Sequence, residues 1–146
     1  MHYGEVYLGK KAVLCKDTPA FVANRIGFYS GNKVSELTEK YDLTIEEVDK
    51  ITGEPMGWPN TGSYRLLDLV GIDTSVKVTK GVIDNCPDDE YVQVIKSRPV
   101  PKATQFLVDN NFLGDKSGQG FYRKTDQRDE KGGRVILALD LKTLEY

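Results

Sequence analysis

Histidine is almost missing from this sequence. The single one, His2, stands beside Met1, where chains are usually disordered. Imidazole is the commonest general acid or base near neutral pH, so acid–base chemistry here needs another side chain or one supplied from outside the chain. Cysteine is scarce too: Cys15 and Cys86 are too few for a disulfide framework, and a reducing compartment would keep both as buried thiols rather than metal ligands. No apolar run approaches the length of a membrane span. Met1-His2-Tyr3-Gly4-Glu5 lacks the basic region and apolar stretch of a signal peptide, so a cytoplasmic location is expected. Excess positive charge is absent as well. Twenty Lys and Arg against 22 Asp and Glu, interspersed to a net charge of -2, argue against a nucleic-acid surface. What remains is 146 residues, 39% of them apolar, enough for one ordinary domain with a core.

The residues present read mainly as helices. Thr18 and Pro19 predict a helix start, with a hydroxyl to take an orphan amide and a proline at the first helical position. That helix runs to about Tyr41, roughly six turns. Ala20, Ala23, Asn24, Gly27 and Gly31 recur at three- or four-residue spacing and share one bald face. Two interior glycines cost a helix roughly 1 kcal/mol each relative to alanine, which points to close approach of another backbone or of a ligand. Phe21, Val22, Ile26, Tyr29, Val34 and Leu37 form the apolar side. Before this helix, Ala12, Val13 and Leu14 between lysines suggest one short strand over Lys10 to Cys15, and a lone strand needs a sheet from elsewhere.

Thr44 with Glu47 predicts a capping box, flanked by Leu43 and Val48 as a hydrophobic staple, for a short helix ending near Thr52 with Gly53 as left-handed cap. Pro55, Pro59 and two glycines make Glu54 to Gly62 a loop bearing Met56 and Trp58. Ser63 or Thr61 caps a helix from Tyr64 to Val70, whose Leu66, Leu67, Leu69 and Val70 predict burial on most sides. Asp73 or Thr74 caps the next, through about Asn85. A helical turn over Glu90 to Lys96 and a helix from Lys102 to Asn110, with Ala103, Phe106 and Leu107 on its face, complete the set. The tail then pairs Gln119 to Lys124 with Arg134 to Leu139 as a hairpin around a polar loop.

Two motif matches fail on context. Gly118-Gln119-Gly120 lacks the third glycine of a dinucleotide fingerprint, and in Gly114-Asp115-Lys116-Ser117 an aspartate interrupts the glycine–lysine pair of a P-loop. Both read as turns.

Four ordered blocks carry a resemblance. They are Lys16-Asp17-Thr18-Pro19-Ala20-Phe21 followed by Asn24-Arg25; Pro55-Met56-Gly57 with Pro59; Leu66-Leu67-Asp68 with Val70-Gly71 and Asp73; and Gly114 with Lys116-Ser117-Gly118 and Gly120-Phe121-Tyr122. Together they resemble the C-terminal domain of the 3-hydroxyacyl-CoA dehydrogenases. Pro59, Ser63-Tyr64-Arg65 and the trailing Leu139-Asp140 and Thr143-Leu144-Glu145-Tyr146 are similar to the larger bacterial and archaeal members, often fused to an enoyl-CoA hydratase.

The resemblance implies a mainly α fold, like the C-terminal domain of 6-phosphogluconate dehydrogenase, with a small C-terminal β-hairpin. It also implies a division of the chain. Residues 1–16 would be a remnant of the linker and last strand of an NAD-binding domain, 17–124 the helical dehydrogenase domain, and 125–146 a polar loop and short strand extension. In the family an N-terminal Rossmann domain binds NAD and supplies a histidine paired with a glutamate. The helical domain completes the acyl-CoA site and makes a homodimer.

By the same resemblance Asn24 faces the catalytic centre, where an amide can donate to a developing oxyanion without titrating. Met56, Trp58, Ser63 and Tyr64 are candidates for substrate contact, against the plainer reading that apolar residues near a helix are core. Asn60 to Ser63 would present amides to a CoA phosphate at a helix N-terminus, unless capping alone explains them. Arg65 would pair with Asp68 on its own helix or bind ligand. The implied activity is oxidation of L-3-hydroxyacyl-CoA to 3-oxoacyl-CoA in fatty-acid β-oxidation, with NAD bound outside these residues and this chain inactive alone. A helical dimerisation module without catalysis is the alternative.

Overall fold

A computed structural model describes residues 2–146. Seven α-helices and one two-stranded sheet are present among them: α1 (His2–Val6), α2 (Phe21–Tyr41), α3 (Ile45–Ile51), α4 (Gly62–Val70), α5 (Ile72–Asn85), α6 (Glu90–Lys96), α7 (Lys102–Asp109), β1 (Tyr122–Arg128) and β2 (Arg134–Ala138). The fold is mainly α with a C-terminal hairpin, as expected. Tyr122 pairs with Ala138 and Lys124 with Ile136, antiparallel, and an irregularity follows before Arg128 meets Arg134, so the first strand begins at Tyr122 rather than Gln119 and runs on through 125–128 of the expected polar loop.

Among the described residues two hydrophobic clusters hold helices α2 to α7, and α1 has no buried residue. The larger gathers Ile45, Val48, Tyr64, Ile72, Ala103, Leu107, Phe121 and Leu139. The smaller joins Phe28 of α2 to Val82, Cys86, Val92 and Ile95. Helix α3 starts as its sequence dictates. The Thr44 hydroxyl accepts the Glu47 amide and the Glu47 carboxylate accepts the Thr44 amide, while Leu43 and Val48 share the larger cluster.

The hairpin is followed by a return to the core. The Asp140 carboxylate accepts the amides of Lys142 and Thr143 and reverses the chain. Leu141, Leu144 and Tyr146 then pack on the larger cluster. The Tyr146 hydroxyl donates to the Gly120 carbonyl, and the Arg123 guanidinium lies 4.3 Å from the Tyr146 ring centroid.

Several expectations are corrected. Residues 10–15 form no strand; Val13, Leu14 and Cys15 are exposed, and only Cys86 is a buried thiol. A short helix, α1, precedes them, with Tyr3 and Tyr7 stacked 5.1 Å apart. Helix α2 begins at Phe21, not Pro19. Ala20 and Phe21 take left-handed backbone angles, and the Phe21 amide closes a turn on the Thr18 carbonyl, so the Thr18 hydroxyl caps nothing. Phe28 and Thr38 are the buried residues of α2, whereas Phe21, Val22, Ile26, Tyr29 and Leu37 are exposed.

Thr52, not a left-handed Gly53, ends α3. Helix α5 starts two to three residues earlier than expected, after Gly71, so neither Asp73 nor Thr74 is its N-cap. Helix α4 is buried on one face only: Tyr64 and Asp68, four residues apart, turn inward, while Leu66, Leu69 and Val70 are exposed.

Candidate functional site

Asn24 closes the first turn of α2, exposed, one turn before buried Phe28 on nearly the same face. The bald stripe around it is open: a Cβ added at Gly27 or Gly31 would meet nothing within 4 Å. The neighbouring Arg25 points into the body and forms an ion pair with Asp89, which caps α6. Arg25 therefore holds the Asp89 carboxyl below the usual carboxylate range, and Asp89 raises Arg25 in turn.

The other candidates stand elsewhere. Tyr64 is only 5% exposed, its ring is edge-on to Phe121 at 4.8 Å, and burial pushes its phenol up. It faces Thr38 and Ser35, and Thr38 is fourteen residues from Asn24, about 20 Å along α2. The Ser63 hydroxyl donates to Thr52. Met56 and Trp58 project outward from a short 3-10 turn and the loop after it. Asn24 and Tyr64 are thus not brought together by the described residues. A cleft of about 520 Å³ between α3, α4 and β1, lined by Lys50, Asn60, Thr61, Arg65, Tyr122 and Lys124, contains none of the five candidate residues.

The N-terminus of α4 is already filled. The Asp49 carboxylate accepts the amides of Tyr64 at 2.6 Å and Arg65 at 2.8 Å and the Tyr122 hydroxyl at 2.8 Å, while Thr52 Oγ1 takes the Ser63 amide. Neither Thr61 nor Ser63 caps it, and its amides are not free for a phosphate. Gly62 is required where α3 crosses, since its φ is +66° and a Cβ would meet the Asp49 backbone.

Sequence reasoning also missed the polar centre of the domain. Asp68 is 2% exposed and accepts the amides of Phe121 and Tyr122, both at 2.8 Å. Burial pushes its carboxyl up to about 6, against the pull of those two amides. Gly114 and Gly120 have no room for a Cβ because the Asp68 backbone and carboxylate occupy the space. Arg65 does not pair with Asp68. It makes a two-pronged ion pair with Asp115 at 2.8 Å on each arm, which holds the Asp115 carboxyl low. The signal for Asp68 is an acid four residues after Tyr64, on the same face of α4 as that buried ring.

The described residues do not fit a dinucleotide. Gly114 and Gly120 pack on Asp68, Gly118 ends a 3-10 turn, and none opens an α-helix after a strand.

Comparison with known proteins shows the family of this fold. The family model described as 3-hydroxyacyl-CoA dehydrogenase, C-terminal domain, matches residues 21–124. The chain belongs to that family. Over 144 residues it is 38% identical to a protein of Bacillus subtilis (strain 168) described as a probable 3-hydroxyacyl-CoA dehydrogenase, covering 99% of this chain and 17% of that protein. It is 34% identical over 116 residues to the mitochondrial hydroxyacyl-coenzyme A dehydrogenase of Homo sapiens, covering 80% of this chain and 35% of that protein. The crystal structure of M. tuberculosis FadB2 matches with a TM-score of 0.65 at 28% identity, over 85% of this chain and 41% of the other. The chain therefore spans less than half of each of these relatives.

Proposed function

We propose that these residues are the helical half of an NAD-dependent L-3-hydroxyacyl-CoA dehydrogenase of fatty-acid β-oxidation, acting in the cytoplasm. A companion domain binds NAD and supplies the histidine base. Family membership supports the reading, and so does the length of the relatives, which leaves room for a second domain. The observation that carries it is the setting of Asn24, an exposed amide on a strip left open by Gly27 and Gly31. A companion domain seated on α2 would place that amide at the oxygen on C3 of a 3-hydroxyacyl-CoA. The amide donates to that oxygen and holds it in register, without exchanging a proton, while the substrate becomes a 3-oxoacyl-CoA. Met56 and Trp58 are exposed enough to meet an acyl chain; Ser63 and Tyr64 act through the support they give α4.

The exposed apolar faces of α2 and α4 support a second role in homodimerisation, since patches of this kind mark interaction surfaces. The experiment is to fuse the chain to the NAD-binding domain of a 3-hydroxyacyl-CoA dehydrogenase and follow acetoacetyl-CoA reduction beside the chain alone. Turnover by the fusion and none by the chain is expected. A fusion that binds NAD yet does not turn over contradicts the reading.

A further inference from the structure

The first turn of α2 is weakly secured for a helix that presents a functional amide. Its N-cap, Ala20, carries no capping side chain, and Phe21, Val22, Ala23 and Asn24 are all exposed. Phe28 anchors the helix only one turn further on. Between the two stands Arg25, whose Nη2 donates to Asp89 Oδ2. Asp89 is itself fixed: its backbone is extended at the N-cap of α6, and its Oδ1 accepts the Tyr91 amide at 3.0 Å.

We propose that the Arg25–Asp89 pair is a clamp that positions Asn24, setting the rotation of the first turns of α2 about its axis. The proposal rests on the reading of Asn24 given above. Successive residues are about 100° apart around a helix, so a fixed Arg25 fixes the direction in which Asn24 points. Phe28 meets Tyr91 edge-on at 5.8 Å one turn beyond Asn24, a contact with a broader range of allowed orientations than a charged hydrogen bond. A guanidinium held by a carboxylate is directional, and the carboxylate here is anchored at a helix terminus. Both side chains are a quarter to a third exposed, so the pair contributes little to stability, as partly exposed ion pairs do. Its effect is then separable from folding.

The test is a double-mutant cycle in the enzyme that includes the NAD-binding domain. Asp89→Asn keeps an oxygen for the Tyr91 amide and replaces the charged oxygen that accepts from Arg25 with an uncharged NH2. Expected is a fall in kcat of about tenfold with KM unchanged, the scale of a small misplacement of a catalytic group. In an Asn24→Ala background the same substitution changes kcat less than twofold, because the residue it positions is gone. Arg25→Gln, which leaves the α6 cap whole, repeats the pattern, and Arg25→Lys restores part of the loss. Thermal midpoints of all variants verify folding. An equal loss in both backgrounds, or none when Asn24 is present, overturns the clamp. If Asn24→Ala by itself leaves kcat unchanged, the reading of Asn24 fails and takes the clamp with it.

Discussion

The carboxylate of Asp68 accepts the backbone amide of Phe121 at 2.8 Å across 53 residues of sequence. With the adjacent bond from Tyr122 it joins α4 to the glycine-rich turn before β1, so two of the four motif blocks are two sides of one buried contact.

That contact sets a pH dependence. The Asp68 carboxyl rises from 3.8 to about 6 on folding, and burial raises Asp49 as well. A folded-state value above the unfolded one means stability is fully present below pH 4 and is lost as pH rises through 6. The rise at Asp68 corresponds to about 3 kcal/mol. Asp73, Asp89 and Asp115 shift the other way through their cationic partners, and their contribution is lost only as pH falls below the usual carboxylate range. The thermal midpoint should therefore decline from pH 4.5 to 7. Asp68→Asn should flatten that decline while lowering the midpoint, because the amide puts an NH2 donor where one of the two carboxylate oxygens accepts a backbone N–H. A midpoint that climbs through this window would count against the assignment.

Glycines in this chain divide into two kinds that substitution separates. Gly120→Ala drives a methyl into the Asp68 carboxylate and should cost about 3 kcal/mol in urea unfolding, at the upper end of overpacking effects. Gly27→Ala and Gly31→Ala meet open space in a helix interior and should each stabilise the chain by about 0.5–1 kcal/mol. If the open strip receives substrate or a companion domain, Gly27→Ala lowers turnover of the two-domain enzyme despite the gain in stability. Unchanged turnover would show that the strip contacts neither.

The family match ends at residue 124, yet the core does not. Leu139 is buried and its amide donates to the Phe121 carbonyl at 2.8 Å. Leu139→Ala should cost about 3 kcal/mol by loss of packing. A chain cut after Lys124 should show lower resistance to urea still. Equal stability of the cut and complete chains would make the hairpin and tail an appendage.

Much of this was legible in the sequence where the signal is local. The capping box at Thr44 and Glu47, the apolar face of α7 and the hairpin follow from residues a few positions apart. The faces of α2 and α4 are not legible in the same way, because an apolar stripe does not say what covers it; Ile26, Leu66 and Leu69 are exposed among the described residues. Capping by a distant side chain was also hidden. Asp49 reaches Tyr64 fifteen positions on, and no rule of local spacing assigns that amide to it over Thr61 or Ser63. Asn24 owed its selection to family resemblance. The structure adds that it is exposed beside open glycines and next to an anchored arginine.

The most direct measurement is the turnover of Asn24→Ala in the two-domain enzyme, with acetoacetyl-CoA at saturation and NADH consumption followed. An amide that donates to the substrate oxygen in the transition state predicts a fall in kcat of about 100-fold or more, with the thermal midpoint unchanged. A kcat within twofold of the parent enzyme would contradict the account and leave the helical half a binding and assembly domain only.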